Sequence, residues 1–101
     1  MKASAFKEMV EYQNGSIVSK EIIKKDAGTV TLFAFDKGQG LSEHTAPFDA
    51  LVNVLDGTVE VKIASEPFTA KEGEMIIMPA NKPHSLQAVE RFKMLLVLIK
   101  K

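Results

Sequence analysis

Short runs of apolar and β-branched residues, separated by turn residues, follow one another along most of the chain. Runs of this kind predict β-strands, because branched and aromatic side chains favour an extended backbone. The predicted strands cover residues 17–23, 29–35, a short segment at 44, 50–55, 58–63, 68–70, 74–78, 84–89 and 92–99. Many short strands joined by closely spaced turns are typical of an all-β sandwich or barrel.

The first dozen residues follow a different pattern. Ser4 is in a position to cap a short helix over residues 5–11, with Phe6, Met9 and Val10 on one face. No later segment has the length and period of an amphipathic helix. The sequence therefore predicts one short N-terminal helix followed by an all-β domain.

Composition indicates which kinds of partner and which cellular compartment to expect. The length of 101 residues suits one domain, and 13 basic residues balance 13 acidic ones, so no nucleic-acid or anionic-membrane partner is indicated. The chain has no cysteine, which excludes disulfides, thiolate metal sites and cysteine nucleophiles, and fits a cytoplasmic protein. Neither a signal peptide nor an apolar run long enough to span a bilayer is visible.

Two stretches in the middle of the chain share one order of features. Residues 38–57 run from glycine through a histidine to an apolar strand and the dipeptide Asp56-Gly57, a strong hairpin signal. Residues 73–88 run from glycine through an apolar strand and a Pro/Asn turn to a second histidine. His44 and His84 are the only histidines in the chain, and each lies where a turn gives way to a strand. These two stretches are the candidate site.

The first stretch resembles the first motif of the cupin family, in which a glycine, two histidines, a glutamate and a second glycine recur at fixed intervals. Gly38, His44 and Gly57 match the two glycines and the first histidine. Ala46 and Ala50 stand in place of the second histidine and the glutamate, with the spacing intact. The departures therefore fall on the positions that carry chemistry in that family.

The second stretch resembles the second cupin motif. Gly73, Pro79 and His84 match the glycine, proline and histidine of that motif. Asn81 stands in place of a glycine, a mild change because asparagine tolerates a positive φ, and Ala88 stands in place of an asparagine. The resemblance implies that the whole chain is one cupin domain. Its fold would be a double-stranded β-helix, or jelly-roll barrel, behind the short N-terminal helix.

The resemblance also implies a metal site in reduced form. In metal-binding cupins, the three motif histidines and the glutamate bind one divalent ion. Only His44 and His84 remain here, so the expected cofactor is at most one Zn, Mn, Ni or Fe ion, bound weakly by two protein ligands. Asp49, Gln39 or Asn53 could supply a third ligand, although none occupies a family position.

The favoured function is binding of a small molecule in the barrel mouth. The candidate ligand-binding residues, placed by the family frame and by alternation along the strands, are His44, Ala46, Ala50, Val52, His84 and Leu86. One alternative is a metal-dependent enzyme of the dioxygenase, isomerase or decarboxylase kind with a reduced ligand set. Another is a non-catalytic sensor or accessory subunit. Whether the chain is an enzyme stays open at this point, since a fold hosts many functions.

Two predicted strands are apolar on both faces, residues 50–55 and 95–99. A strand with one face in water alternates polar and apolar residues, and a barrel interior covers only one face. The second face needs the N-terminal helix, the other sheet or a partner to cover it. We expect a homodimer that buries at least ~1,200 Å² through the strands near Leu51 and Leu96.

Overall fold

The computed structural model describes residues 3–100 and consists of two antiparallel sheets packed face to face. The five-stranded sheet has the order β1-β2-β9-β4-β7, and the four-stranded sheet has the order β3-β8-β5-β6. The strands are β1 Ile17–Lys25, β2 Gly28–Phe35, β3 Gly40–His44, β4 Asp49–Asp56, β5 Thr58–Ile63, β6 Glu66–Lys71, β7 Met75–Met78, β8 His84–Ala88 and β9 Phe92–Ile99. The predicted all-β jelly roll is confirmed, with strand boundaries within a few residues of those expected.

The N-terminal helix is shorter than predicted. Residues 5–11 form only a 3-10 turn, Phe6–Glu8, and Ala5 rather than Ser4 precedes it, with no side-chain cap. A helix of seven residues gains too few hydrogen bonds to offset the cost of its first turn. The chain instead lays Val10, which is 4% exposed, against the outer face of the five-stranded sheet.

The main core lies between the two sheets. Its fully buried side chains come from both sheets, and Phe35 stacks on Phe92 with ring centroids 4.5 Å apart. The core cluster contains Phe35, Ala50, Val52, Val54, Val59, Val61, Ala70, Met78, Leu86, Ala88, Phe92 and Met94. Inward residues alternate with outward ones along each strand, so this cluster also fixes which side chains reach the barrel mouth.

A polar clamp holds the N-terminal segment on the outer face. The Tyr12 hydroxyl donates to Oδ2 of Asp56 at 2.6 Å, and the Arg91 guanidinium lies 4.4 Å from the centre of the Tyr12 ring. Partial burial raises the pKa of Tyr12, and the hydrogen bond from Tyr12 lowers the pKa of Asp56. The segment is therefore fixed by a charge-assisted hydrogen bond as well as by Val10.

None of the described residues forms a helix long and apolar enough to cross a membrane.

Candidate functional site

Pairing of β3 with β8 brings the two histidines together. His44 lies directly opposite His84 in the strand register, and Leu41 lies opposite Leu86. Two residues lie between the pair members on β3 and only one lies between those on β8, so β3 contains a bulge of one residue. Without the bulge, Leu41 and His44 would point to opposite faces of the strand. With it, both line the barrel interior.

The histidine pair lies at the mouth of an apolar cavity of about 120 Å³. The cavity is lined by Leu41, His44, Ala46, Phe48, Ala50, Met78, His84, Leu86, Met94, Leu96 and Leu98. The two histidines are the only polar side chains in this lining. His84 is 5% exposed, whereas His44 is largely open to solvent. The site thus has one polar end, at the opening, and an apolar body.

Five of the six residues expected at the site line this one cavity: His44, Ala46, Ala50, His84 and Leu86. Val52 is fully buried in the core between the two sheets and is not part of the lining. Sequence reasoning missed the other six lining residues, which are Leu41, Phe48, Met78, Met94, Leu96 and Leu98. Alternation along β9 was the available signal for the last two, since both share a face with the buried Met94.

The tautomers of the two rings follow from their hydrogen bonds. Nδ1 of His44 lies 2.8 Å from the carbonyl oxygen of Ser42, and Nδ1 of His84 lies 3.1 Å from that of Lys82. A carbonyl oxygen only accepts, so Nδ1 carries the hydrogen in both rings. Each neutral ring then has its lone pair on Nε2.

These two lone pairs converge. The Nε2 atoms of His44 and His84 are 3.1 Å apart, and the rings meet edge to face with centroids 4.4 Å apart. Two acceptors cannot hydrogen-bond to each other, so both lone pairs are directed at a point where a positive group such as a metal ion can bind. The pair is therefore a preformed Lewis-base site whose tautomers are fixed by the backbone.

The donor chemistry fits a divalent ion held by two ligands. Zinc–nitrogen bonds measure about 2.0–2.1 Å, so two nitrogen atoms 3.1 Å apart can both bind one ion. Among residues 3–100, no group of three or more His, Cys, Asp or Glu side chains is placed to hold a metal. The remaining ligands would have to come from water or from a bound molecule.

Two of the three side chains considered as a third ligand are engaged elsewhere. Oδ1 of Asp49 accepts a hydrogen bond from the backbone N–H of Ala80 at 2.8 Å. Nδ2 of Asn53 donates to the carbonyl oxygen of Glu74, and Asn53 pairs with Leu95 on the outer side of the sheet. None of the three, Gln39 included, lines the cavity.

The loop after β7 supports the opening of the cavity. Asn81 has a φ of 67°, and its N–H donates to the carbonyl oxygen of Ala46 at 2.8 Å. Asparagine tolerates this left-handed conformation better than most side chains, as its position in the second motif suggested. The loop therefore fixes the backbone at Ala46, which lines the same cavity as the histidine pair.

A larger groove of about 480 Å³ lies on the outer face of the four-stranded sheet. Its lining includes Glu60, Lys62, Ser85 and Gln87, and it is broadly open to solvent. It holds neither histidine and no buried polar side chain. The smaller cavity at the histidine pair is the better candidate despite its size, because there an enclosed apolar wall meets converging polar groups.

Burial lowers the pKa of His84, and the nearby His44 ring lowers it further, against the opposing hydrogen bond from Nδ1 to Lys82. The unfolded chain takes up a proton at this histidine near pH 6.5, and the folded chain takes it up only at lower pH. In metal-free buffer, His84 should therefore make its full contribution to the free energy of unfolding above about pH 6.5. The free energy of unfolding should fall as the pH drops below about 6.5, by at most ~1.4 kcal/mol per pH unit.

Urea denaturation at several pH values between 5 and 8 measures this effect. The His84→Leu variant should show a flatter profile over the same range. Asp36 and Asp56 have lowered pKa values, so they stabilise the folded chain at neutral pH. Their contribution to the free energy of unfolding is lost only at more acid pH, near and below the ordinary pKa of an aspartate. An equally steep profile in His84→Leu would contradict the assignment to His84.

Comparisons with known proteins agree with this architecture. The chain is similar to a conserved protein of unknown function from Streptococcus pyogenes, with 37% identity and a TM-score of 0.95 over 99% of this chain and 88% of that one. It is also similar to a cupin 2 conserved barrel domain protein from Leptotrichia buccalis, with 47% identity and a TM-score of 0.90 over 93% of this chain and 46% of that one. The comparison with curated proteins found no match.

A more distant solved structure, a salicylate 1,2-dioxygenase from Pseudaminobacter salicylatoxidans, is 15% identical, with a TM-score of 0.77 over 84% of this chain and 26% of that one. This likeness concerns the fold alone. A family model described as the cupin domain matches residues 31–99, which is more than half of the chain and includes both histidine motifs. The chain belongs to the cupin family.

Proposed function

We propose that the chain binds a small, largely apolar molecule in the barrel mouth, with the oxygen-bearing head group of that molecule held at His44 and His84. The observation that carries the proposal is the convergence of two Nε2 lone pairs at the opening of an apolar cavity. A site with one polar end and an apolar body favours a ligand that also has one polar end and an apolar body.

The cavity volume sets the size of the ligand. A volume of about 120 Å³ is far below the several hundred Å³ of pockets for drug-sized molecules. It is close to that of an engineered apolar cavity that binds benzene. A ligand of roughly six to eight non-hydrogen atoms, with one hydroxyl, carbonyl or carboxylate group, matches this volume and its single polar end.

A divalent ion at the histidine pair is the finer part of the proposal. His44 and His84 would hold it through Nε2, and the head group of the ligand would complete its coordination. When bound, such an ion supplies a Lewis acid at the head group. Binding is favoured over catalysis because the lining has no carboxylate, and alanine occupies positions 46 and 50, where metal-binding cupins carry further ligands.

Three probe molecules test the ligand class by nuclear magnetic resonance of the labelled protein. Phenol has the expected size and an oxygen, toluene has the same size without the oxygen, and 2-naphthol has the oxygen but exceeds the cavity. We expect phenol to shift the amide signals of Ala50 and Leu98 at concentrations where the other two have no effect. Equal effects of phenol and toluene would contradict a role for the histidine pair.

A cavity-filling substitution provides the second arm of the test. Ala50→Leu should abolish phenol binding, because Ala50 is 4% exposed and its side chain faces the cavity. Ala27→Leu adds the same atoms at an exposed turn and should leave binding unchanged. Phenol binding that survives in Ala50→Leu would place the ligand elsewhere and refute the proposed site.

A further inference from the structure

The loop between β7 and β8 carries the carbonyl group that orients His84. We call residues 79–83 the mouth loop. The carbonyl oxygen of Lys82, in this loop, lies 3.1 Å from Nδ1 of His84. The carbonyl oxygen that orients His44 belongs instead to Ser42, within β3 itself. The tautomer of His44 therefore depends on a strand, whereas the tautomer of His84 depends on the position of a loop.

Three backbone groups of the mouth loop are hydrogen-bonded to neighbouring segments. The N–H of Asn81 donates to the loop after β3, and the carbonyl oxygen of Pro83 accepts from the turn between β5 and β6. The N–H of Ala80 donates to Oδ1 of Asp49 at 2.8 Å. Of these three bonds, only the last has a side chain as a partner. A substitution at Asp49 can therefore remove it without altering the backbone of the loop.

The shape of the mouth loop depends on such contacts. Asn81 has a φ of 67°, a left-handed conformation that costs more in asparagine than in glycine. A conformation of this kind persists where the surrounding structure holds it. The bond between Ala80 and Asp49 holds the chain directly before Asn81 and two residues before Lys82. Loss of this bond frees the segment that positions the Lys82 carbonyl.

The histidine pair can carry its hydrogens in two arrangements, because a neutral imidazole has one hydrogen on either ring nitrogen. In the open pair, Nδ1 of His84 donates to Lys82, and both Nε2 lone pairs are free to bind. In the closed pair, Nε2 of His84 carries the hydrogen and donates it to Nε2 of His44, across a distance of 3.1 Å. The closed pair leaves no free Nε2 lone pair for a metal ion or a ligand.

We propose that Asp49 is a positioning residue that keeps the histidine pair open. It holds the mouth loop through the N–H of Ala80, and the loop holds the Lys82 carbonyl against Nδ1 of His84. The closed pair exchanges the hydrogen bond to Lys82 for one between the rings, so the position of this carbonyl decides between the two arrangements. Asp49 does not line the cavity and acts through the backbone. Its importance for binding rests on the proposed function.

Long-range proton–nitrogen magnetic resonance spectra of the labelled protein, free of metal and ligand, report which ring nitrogen carries the hydrogen. At about pH 8, above the ordinary imidazole pKa of ~6.5, both histidines of the wild type should carry it on Nδ1. Asp49→Ala should shift His84 toward the form with the hydrogen on Nε2 and leave His44 unchanged. Asp49→Asn removes the charge but keeps the accepting oxygen, so it should give the wild-type spectrum.

Asp36→Ala is the matched control. Oδ2 of Asp36 accepts a hydrogen bond from the N–H of Gly15 at 2.7 Å, the same kind of bond at a place outside the cavity lining. Its loss should lower the free energy of unfolding and leave the His84 signals unchanged. The same shift of His84 in Asp36→Ala would trace the shift to general destabilisation and overturn the proposal.

Two results at position 49 would also overturn it. One is a folded Asp49→Ala with wild-type His84 signals, and the other is Asp49→Asn with the signals of Asp49→Ala. If circular dichroism shows that Asp49→Ala unfolds, Asp49→Val takes its place, because valine favours strands and accepts no hydrogen bond. The expected shift of His84 is the same, and wild-type signals in folded Asp49→Val would contradict the role of Asp49.

Calorimetric titration with Zn²⁺ provides the second readout. Groups that fix the tautomer of a metal-binding histidine typically contribute tenfold or more to metal affinity, so Asp49→Ala should bind Zn²⁺ about tenfold more weakly than the wild type and Asp49→Asn equally well. Equal Zn²⁺ affinity in the wild type and Asp49→Ala would refute the role in binding. If the wild type binds neither Zn²⁺ nor phenol, the proposed function is wrong, and the spectra of the free protein still decide whether Asp49 keeps the pair open.

Discussion

The His44→Ala variant should bind Zn²⁺ at least ~100-fold more weakly than the wild type, because a single remaining imidazole does not hold an ion firmly. The expectation follows from the 3.1 Å separation of the two Nε2 atoms and from the absence of a third protein ligand among the described residues. Calorimetric titration with Zn²⁺, Mn²⁺ and Ni²⁺, on protein purified without a histidine tag, measures it. Wild-type affinity should also fall as the pH drops below about 6.5, since a ligating imidazole must be neutral and the pKa of His84 is lowered.

Glu43→Ala is the matched control. Glu43 precedes His44 on β3 but lines the outer groove rather than the cavity, so its removal should leave metal affinity unchanged. If the wild type and His44→Ala bind equally, or if the wild type binds no ion, the metal part of the proposal is wrong. The two histidines would then be contacts for an organic ligand only.

Restoring the two ligand positions of metal-binding cupins should strengthen metal binding, in contrast to His44→Ala. Ala46 and Ala50 line the same cavity as the histidine pair, so Ala46→His combined with Ala50→Glu should add two ligands and raise Zn²⁺ affinity at least ~10-fold. The same substitutions fill part of the cavity of about 120 Å³, so they should abolish phenol binding. Unchanged metal affinity in the folded double variant would show that positions 46 and 50 do not face the ion.

The Gly57→Ala variant should lose at least ~3 kcal/mol of unfolding free energy. Gly57 closes the turn between β4 and β5 with a φ of +75°, a conformation that strains any residue with a Cβ. An added Cβ would also overlap the backbone carbonyl of Arg91, which belongs to the connection between β8 and β9. Because that neighbour is backbone rather than a flexible side chain, two connections would have to move apart. Urea denaturation at neutral pH measures the loss.

Gly38→Ala is the control that separates backbone strain from the overlap with Arg91 as causes of the lost stability. Gly38 has a φ of +84°, but an added Cβ there would meet no atom within 4 Å. Only the backbone strain remains, and the expected loss is about 1 kcal/mol. Equal losses in the two variants would show that the contact with Arg91 contributes nothing at Gly57.

The sequence by itself determined the strands, the turns and the family. Alternating and continuous apolar runs predicted all nine strands within residues 3–100, because strand formation depends on local side-chain pattern. The glycine-to-histidine spacing predicted the barrel. The local pattern overestimated the helix at residues 5–11, where only Phe6–Glu8 form a 3-10 turn and Val10 packs on the sheet. There tertiary burial of Val10 outweighed a weak helix propensity.

Only the tertiary structure decided how the histidines meet and which apolar residues stay uncovered. A bulge in β3 turns both Leu41 and His44 inward, and a bulge depends on pairing with β8 rather than on the residues of β3 alone. The sequence showed that β9 is apolar on both faces. The register shows that Leu96 lines the cavity while Val97 lies on the outer face of the sheet. One-residue differences of this kind are invisible in a continuous apolar run, because only pairing across strands assigns each side chain to a face.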